Sequence, residues 1–318
     1  MEWLYISLGL VILLLAGDAL VRGAVNLSLR IGIPALIVSL TIVAFGTSAP
    51  ELLISLQAAL KNAPGIALGN VVGSNIANVL LVLGVPAAMT ALHTSGSDTR
   101  RSFAFMIFAT LLFIGLAACG VFTFWSGVIL LIALAVMLGD AMRSAYNHRK
   151  EVAAACAVED DEDVEGADPD MPWWRIIVFL LLGLIGLPLG ADLMVDNAEI
   201  IARRYGVSDT VIGLTLVALG TSLPELATTV MAALRRQADV ALGNVIGSNM
   251  FNLLAIIGIT SIVHPISVDP SFLKFDMWVM LAASLMLIPF VFMKRDITRV
   301  WGVTFTALYV LFVLITLN

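Results

Sequence analysis

The sequence predicts an all-α polytopic membrane protein of ten transmembrane helices, built as two inverted five-helix repeats. Three observations carry this. The 318 residues are 60% hydrophobic and only 13% charged, with a mean hydropathy of +1.02, whereas a soluble domain is about half apolar and a quarter charged. Apolar runs long enough to span a bilayer, roughly 20 residues each in a helix, recur along the whole chain. One of its stretches occurs twice. The net charge of −6 says little about partners, because the acidic segment 159–170 supplies much of it, and no basic patch suggests nucleic acid.

The spans are expected at about 3–21, 34–60, 65–92, 102–122 and 124–142, then at 173–193, 207–234, 239–264, 275–293 and 299–317. Met1-Glu2-Trp3 has no basic start, so the first run is expected to be retained as a span and not cleaved as a signal. The chain divides into a first half (1–143), a linker (144–172) and a second half (173–318). Cys119 sits in an apolar span and Cys156 in the linker, and together they make neither a disulfide framework nor a metal motif. Within the linker, Asp161–Gly166 has the composition of a calcium loop, but Pro172 falls where the bidentate Glu belongs, so the EF-hand pattern fails. The linker is expected to be a solvated acidic segment.

Lysine and arginine set the orientation. With the N-terminus outside, 13 of the 17 basic residues fall on inner loops and 4 (Lys61, Arg203, Arg204 and Lys274) on outer ones. Both termini are therefore expected outside and the linker in the cytoplasm, in a cell membrane.

The duplicated stretch covers residues 46–84 and 220–258. About half of the aligned positions are identical without a gap, concentrated in the phrases G-T-S-x-P-E-L and A-L-G-N-V-x-G-S-N-x-x-N. The same offset pairs Asp18 with Asp192 and Gly32 with Gly206 upstream, so the repeat is a whole half of the chain. Five spans is an odd number, so the halves enter the membrane from opposite sides. Inverted repeats of this kind mark secondary transporters, with the site at the midplane.

Each first phrase should break its helix. Pro50 and Pro224 remove a backbone donor and disfavour helix just before them, which would free the carbonyls around Ala44 and Ala218. Glu51 and Glu225 then sit in the first turn of a new half-helix, where the helix dipole favours an anion. Ser48-x-x-Glu51 also has capping-box spacing, so a purely structural cap is the competing explanation. An intramembrane carboxylate is costly and marks an ion or proton pathway. In the second phrase Asn70, Ser74 and Asn78 share one helical face, as do Asn244, Ser248 and Asn252, beside a stripe of small residues suited to helix packing. The pocket would collect Glu51, Glu225, Thr47, Ser48, Ser74, Thr221, Ser222, Ser248, Asn78, Asn252 and the Ala44 and Ala218 carbonyls. All are hard oxygen donors suited to calcium or sodium. The absence of His or Cys there argues against zinc, copper or iron.

The paired G-T-S-x-P-E and G-N-x-x-G-S-N phrases resemble the alpha-repeats of the cation/calcium exchanger superfamily, which includes the sodium/calcium exchangers. The ten-span layout is most similar to prokaryotic calcium/sodium antiporters. The resemblance covers nearly the whole chain apart from the linker. It implies broken helices at a midplane ion site, calcium bound by Glu51 and Glu225, and calcium and sodium sites completed by Thr47, Ser48, Ser74, Thr221, Ser222, Ser248 and the two alanine carbonyls. Family members often carry Asp where this chain has Asn252, so the pocket holds two carboxylates. The implied activity is calcium/sodium antiport by alternating access, with the ions as cargo, the lipid bilayer as surroundings and no cofactor or enzymatic step. Spans 1 and 6, rich in Gly and Ala, would slide past a four-helix core. Asp18 and Asp192 on them are either structural or line an approach. Proton/calcium antiport and a passive cation channel are the rival readings.

Overall fold

The computed structural model describes residues 1–94, 99–155, 168, 170–206 and 218–316. The chain opens with α1 (Glu2–Ile31), ten residues longer at its C-terminal end than expected. Arg22 and Arg30 do not stop a helix. Gly32 does, with φ 73° and its N–H on the Ser28 carbonyl at 2.9 Å. Next come α2 (Ala35–Thr47) and α3 (Ala49–Leu60), bent by 44° at Ser48. The helix α4 (Pro64–Met89) follows, then α5 (Arg100–Ala117), strand β1 (Val121–Phe122) and α6 (Phe124–Ala155). The expected linker therefore begins as helix, because no Gly or Pro separates Arg143 from Ala155. Cys119 is free and exposed, whereas Cys156 and the Asp161–Gly166 segment lie outside the described residues.

The second half opens with α7 (Trp173–Arg204), which carries Pro188 inside it. Residues 207–217 of the expected seventh span lie outside the described residues, and the chain is followed again from α8 (Ala218–Thr221) and α9 (Leu223–Leu234). Then come α10 (Ala238–Val263), β2 (Ile266–Ser267), α11 (Pro270–Lys274), α12 (Asp276–Phe292) and α13 (Arg299–Thr316). Among the described residues seven helices are long and apolar enough to cross a membrane, and eight if the bent α2–α3 pair is one span; α9 and α12 are shorter apolar helices.

Lipid-facing character is written on the surface. All six tryptophans (Trp3, Trp125, Trp173, Trp174, Trp278 and Trp301) are exposed within the first three residues of a helix, the placement of an interfacial aromatic belt. Large apolar side chains such as Leu15, Leu111, Ile132, Leu182 and Val303 are exposed between those ends.

Inside this belt α10 is the most enclosed helix, with 89% of its apolar window buried against 11% for α13. Two short cross-links join the halves at their loops. Strands β1 and β2 pair antiparallel, Val121 opposite Ser267 and Phe122 opposite Ile266, and Leu92 bridges Ile297. Outside the central group lies the pair α1–α7. Gly9 meets Gly190, Ala16 meets Gly186, Leu20 meets Gly183 and Gly23 meets Leu180, so the two helices run antiparallel along their length. The contact is backbone on backbone: a Cβ on Gly9 would lie 2.8 Å from the Gly190 carbonyl. At about 1.5 Å per residue these helices of 30 and 32 residues exceed the roughly 30 Å hydrocarbon core and must tilt or protrude.

Candidate ion-binding site

The site forms where the two bent segments meet the two long central helices. Helix α2 is wound loosely over Ser39–Val43, as a π-helical turn, and regains α-geometry only for Ala44–Thr47. Ser48 (φ −83°, ψ 5°) ends it, and α3 restarts with Pro50 in its first turn. The second half repeats this at Ser222 (φ −86°, ψ 1°) and Pro224. Further π-turns follow in α4 at Asn78–Val82 and in α10 at Phe251–Ile256. Such turns are rare and collect at functional sites.

Helices α2 and α10 come together through glycine. At Gly247 an added Cβ would lie 2.6 Å from the Leu40 carbonyl and 2.6 Å from the Ala44 Cβ; at Gly243 it would lie 2.8 Å from the Leu36 carbonyl. This is the close approach expected of the small-residue stripe. Ser39 Oγ donates to the Val240 carbonyl at 2.6 Å across the same interface. The approach brings Thr47 and Ser48 of one half against Asn244, Ser248 and Glu225 of the other.

Glu51 and Glu225 are both buried, at 1% and 0% exposure. Neither serine before them caps its helix: Ser48 and Ser222 make no side-chain bond to the first turn. Ser48 Oγ instead donates to Glu225 Oε1 at 3.2 Å, across the repeat boundary. The capping-box expectation is thereby corrected. The Asn75 amide donates back to the Val71 carbonyl at 2.7 Å on its own helix.

The Ala44 carbonyl is likewise not freed. The Ser48 N–H reaches it at 3.1 Å and the Thr47 hydroxyl at 3.3 Å, because helical geometry persists through Thr47 and closes that turn. In the second half the Ser222 N–H bonds the carbonyl of Leu219 at 3.1 Å, one residue beyond Ala218. The donor that Pro50 lacks is the one that would have reached Gly46.

Among the described residues nine buried side-chain polar atoms have no hydrogen-bond partner, and seven of them belong to this cluster. They are Glu51 Oε2, Glu225 Oε2, Ser222 Oγ, Ser248 Oγ, Asn78 Oδ1 and both amide atoms of Asn252. Folded proteins leave few such atoms orphaned, since each costs about 1–3 kcal/mol. Six of the seven are oxygens, which matches what a hard cation taking about 6–8 oxygen ligands requires. Thr47, Thr221 and Ser74 are buried beside them. Ala218 opens α8.

The halves are not perfect mirrors here. Asn78 Nδ2 donates to Asn249 Oδ1 at 3.0 Å, whereas its counterpart Asn252 is fully buried with no partner. Two further residues of the duplicated phrase were placed on its polar face from the sequence but not in the expected ligand set. Asn70 Nδ2 donates to the Glu51 carbonyl (3.1 Å) and to Ser55 Oγ (3.0 Å). Asn244 Nδ2 does the same to the Glu225 carbonyl (3.3 Å) and Thr229 Oγ1 (3.1 Å). The signal was available: Ser55 and Thr229 stand one helical turn after each Glu, at matching positions in the repeat.

The sodium/calcium exchanger protein family matches residues 1–139 and 175–318, which leaves out little more than the linker. The chain belongs to that family. The sodium/calcium exchanger MaX1 of Methanosarcina acetivorans is 34% identical over 99% of this chain and 98% of its own length. The inner membrane protein YrbG of Escherichia coli is 33% identical over 87% of this chain and 84% of its own. The sodium-calcium exchanger NCX_Mj, in crystals soaked with zero Na+ and Ca2+, superposes with a TM-score of 0.82 at 31% identity, covering 100% of this chain and 99% of that one. This exchanger is thus a multi-pass helical membrane protein of a family that transports cations.

Proposed function

We propose that the protein exchanges calcium for sodium by alternating access at one site formed by Glu51 and Glu225. The carrying observation is the set of orphaned oxygens at that site, held by two carboxylates from opposite halves. With no cation the pocket holds two buried like charges, which are expensive to seal from water. One calcium, or two or more sodium ions, neutralises them. The loaded pocket therefore closes and changes sides while the empty one resists, and this couples the two fluxes. Thr47, Ser48, Ser74, Thr221, Ser222 and Ser248, the Asn78 and Asn252 amide oxygens and the Ala218 carbonyl complete the coordination in this reading.

The ten-span inverted repeat (1–143 and 173–318) is the architecture that fits this mechanism. The contacts between loops support it: β1 and β2 join two loops expected outside, and Leu92 and Ile297 join two expected inside. Arg204 pairs with Glu2 at the outer end at 2.8 Å, and Arg235 pairs with Asp18 toward the inner end. Asp18 is therefore structural, with Arg22 at 3.0 Å on its other side. The glycine-lined pair α1–α7 is the sliding element. Both termini lie outside a cell membrane and the linker in the cytoplasm.

The test is calcium uptake by proteoliposomes loaded with sodium. Uptake under the sodium gradient, absent when choline replaces sodium, is expected. Uptake in sodium-free vesicles driven by a pH gradient alone would replace this reading with proton/calcium antiport.

A further inference from the structure

We infer that Asn70 and Asn244 are positioning residues for the cation site, and that Asn244 also gives the Thr47 hydroxyl a protein acceptor to donate to. This rests on the exchange reading above and goes beyond the ligand set. Asn244 is fully buried on α10. Its amide faces the main-chain carbonyl of Glu225 at 3.3 Å. A carbonyl only accepts, so the nitrogen must lie on that side. The same nitrogen reaches Thr229 Oγ1 at 3.1 Å.

With the nitrogen committed, Oδ1 points the other way and can only accept. It lies 3.4 Å from Thr47 Oγ1, in the opposite half. The Ala44 carbonyl, at 3.3 Å, and the Glu225 carboxylate are also within reach of that hydroxyl. Whichever of these it takes, the Thr47 proton goes to a protein acceptor. The oxygen is left with only lone pairs to offer a cation. Without Asn244 the proton has one tether fewer and more freedom to turn toward the cargo, where it repels.

The first half repeats the main-chain part of the device. Asn70 holds the Glu51 carbonyl at 3.1 Å and Ser55 Oγ at 3.0 Å, with the same sequence separations of 19 and 15 residues. Each amide thus ties the residue that carries the carboxylate to the neighbouring long helix, α3 to α4 and α9 to α10. The acceptor hydroxyl is Ser in one half and Thr in the other, and both are fully buried.

The test uses full-length protein with Asn244→Leu, which keeps the volume and removes both polar functions. Sodium-driven calcium uptake should show a calcium KM raised about tenfold, the loss expected for about 1.4 kcal/mol of site interaction, with the maximal rate nearly unchanged. Thr47→Val should also raise KM, and the double variant should be no worse than the poorer single one. An unchanged KM, or losses that multiply, overturns the assignment, even if the melting temperature falls. If Asn244→Leu fails to accumulate, Asn70→Leu carries the same KM expectation, and an unchanged KM there is equally decisive. Wild-type uptake in the same vesicles separates the two ideas: its absence sinks the exchange reading, whereas a normal wild type with an unaffected variant sinks only the positioning role.

Discussion

Gly247→Ala puts the packing beneath the site to a quantitative test. The added methyl would stand 2.6 Å from the Leu40 carbonyl oxygen, 2.6 Å from the Ala44 Cβ and 3.0 Å from the Leu40 carbonyl carbon. Two of the three are backbone atoms, so no flexible side chain can move aside. Relief requires α2 and α10 to separate, at an overpacking cost of about 1–3 kcal/mol. That separation shifts Thr47 and Ser48 away from Asn244, Ser248 and Glu225. If half of the cost falls on the ion-loaded state, calcium binding weakens about 2- to 12-fold, since 1.4 kcal/mol is tenfold. The assay is calcium-induced thermal stabilisation of purified protein in detergent, with Gly115→Ala as control. Gly115 has nothing within 4 Å of its would-be Cβ among the described residues, so this change should be neutral or slightly stabilising through helix propensity. Equal calcium stabilisation in Gly247→Ala and wild type would refute the claim that the α2–α10 approach builds the site.

Further outcomes are expected. Glu51→Gln and Glu225→Gln should each abolish calcium exchange while leaving a folded protein by gel filtration, because amides replace carboxylates at nearly constant shape; transport retained in both would remove the site assignment. Asn252→Asp adds a third carboxylate where the present side chain has no partner, and it should lower both the calcium KM and the maximal rate, seen as tighter binding with slower release. Arg235→Gln removes a partly buried partner of Asp18 and should lower stability by about 1–3 kcal/mol, between the values for surface and buried pairs, measured as a fall in melting temperature. Double replacement with Asp18→Asn should recover part of that loss, because it removes the stranded charge.

Legibility followed the physics of each feature. The candidate site residues could be picked out because duplication and misplaced polarity in apolar runs are sequence properties, and the breaks at Pro50 and Pro224 fell where proline chemistry requires. The helix ends were less visible. The expected span ends before Arg22, whereas α1 continues past it with Arg22 paired to Asp18 one turn earlier, and Asp18 also paired to Arg235. Capping geometry misled as well: Ser48 has the spacing of a cap, yet its hydroxyl goes to Glu225, 177 residues away. Long-range pairing of that kind has no local signature. The roles of Asn70 and Asn244 were hidden similarly, since their bonds cross 19 residues to a main-chain atom.

The most direct measurement follows both ions in the same vesicles: radiolabelled calcium entering and radiolabelled sodium leaving proteoliposomes that contain the wild-type exchanger. The account predicts that each flux stops when the other ion is withdrawn and that Glu51→Gln silences both together. Calcium entering at the same rate with no counter-ion available would contradict it.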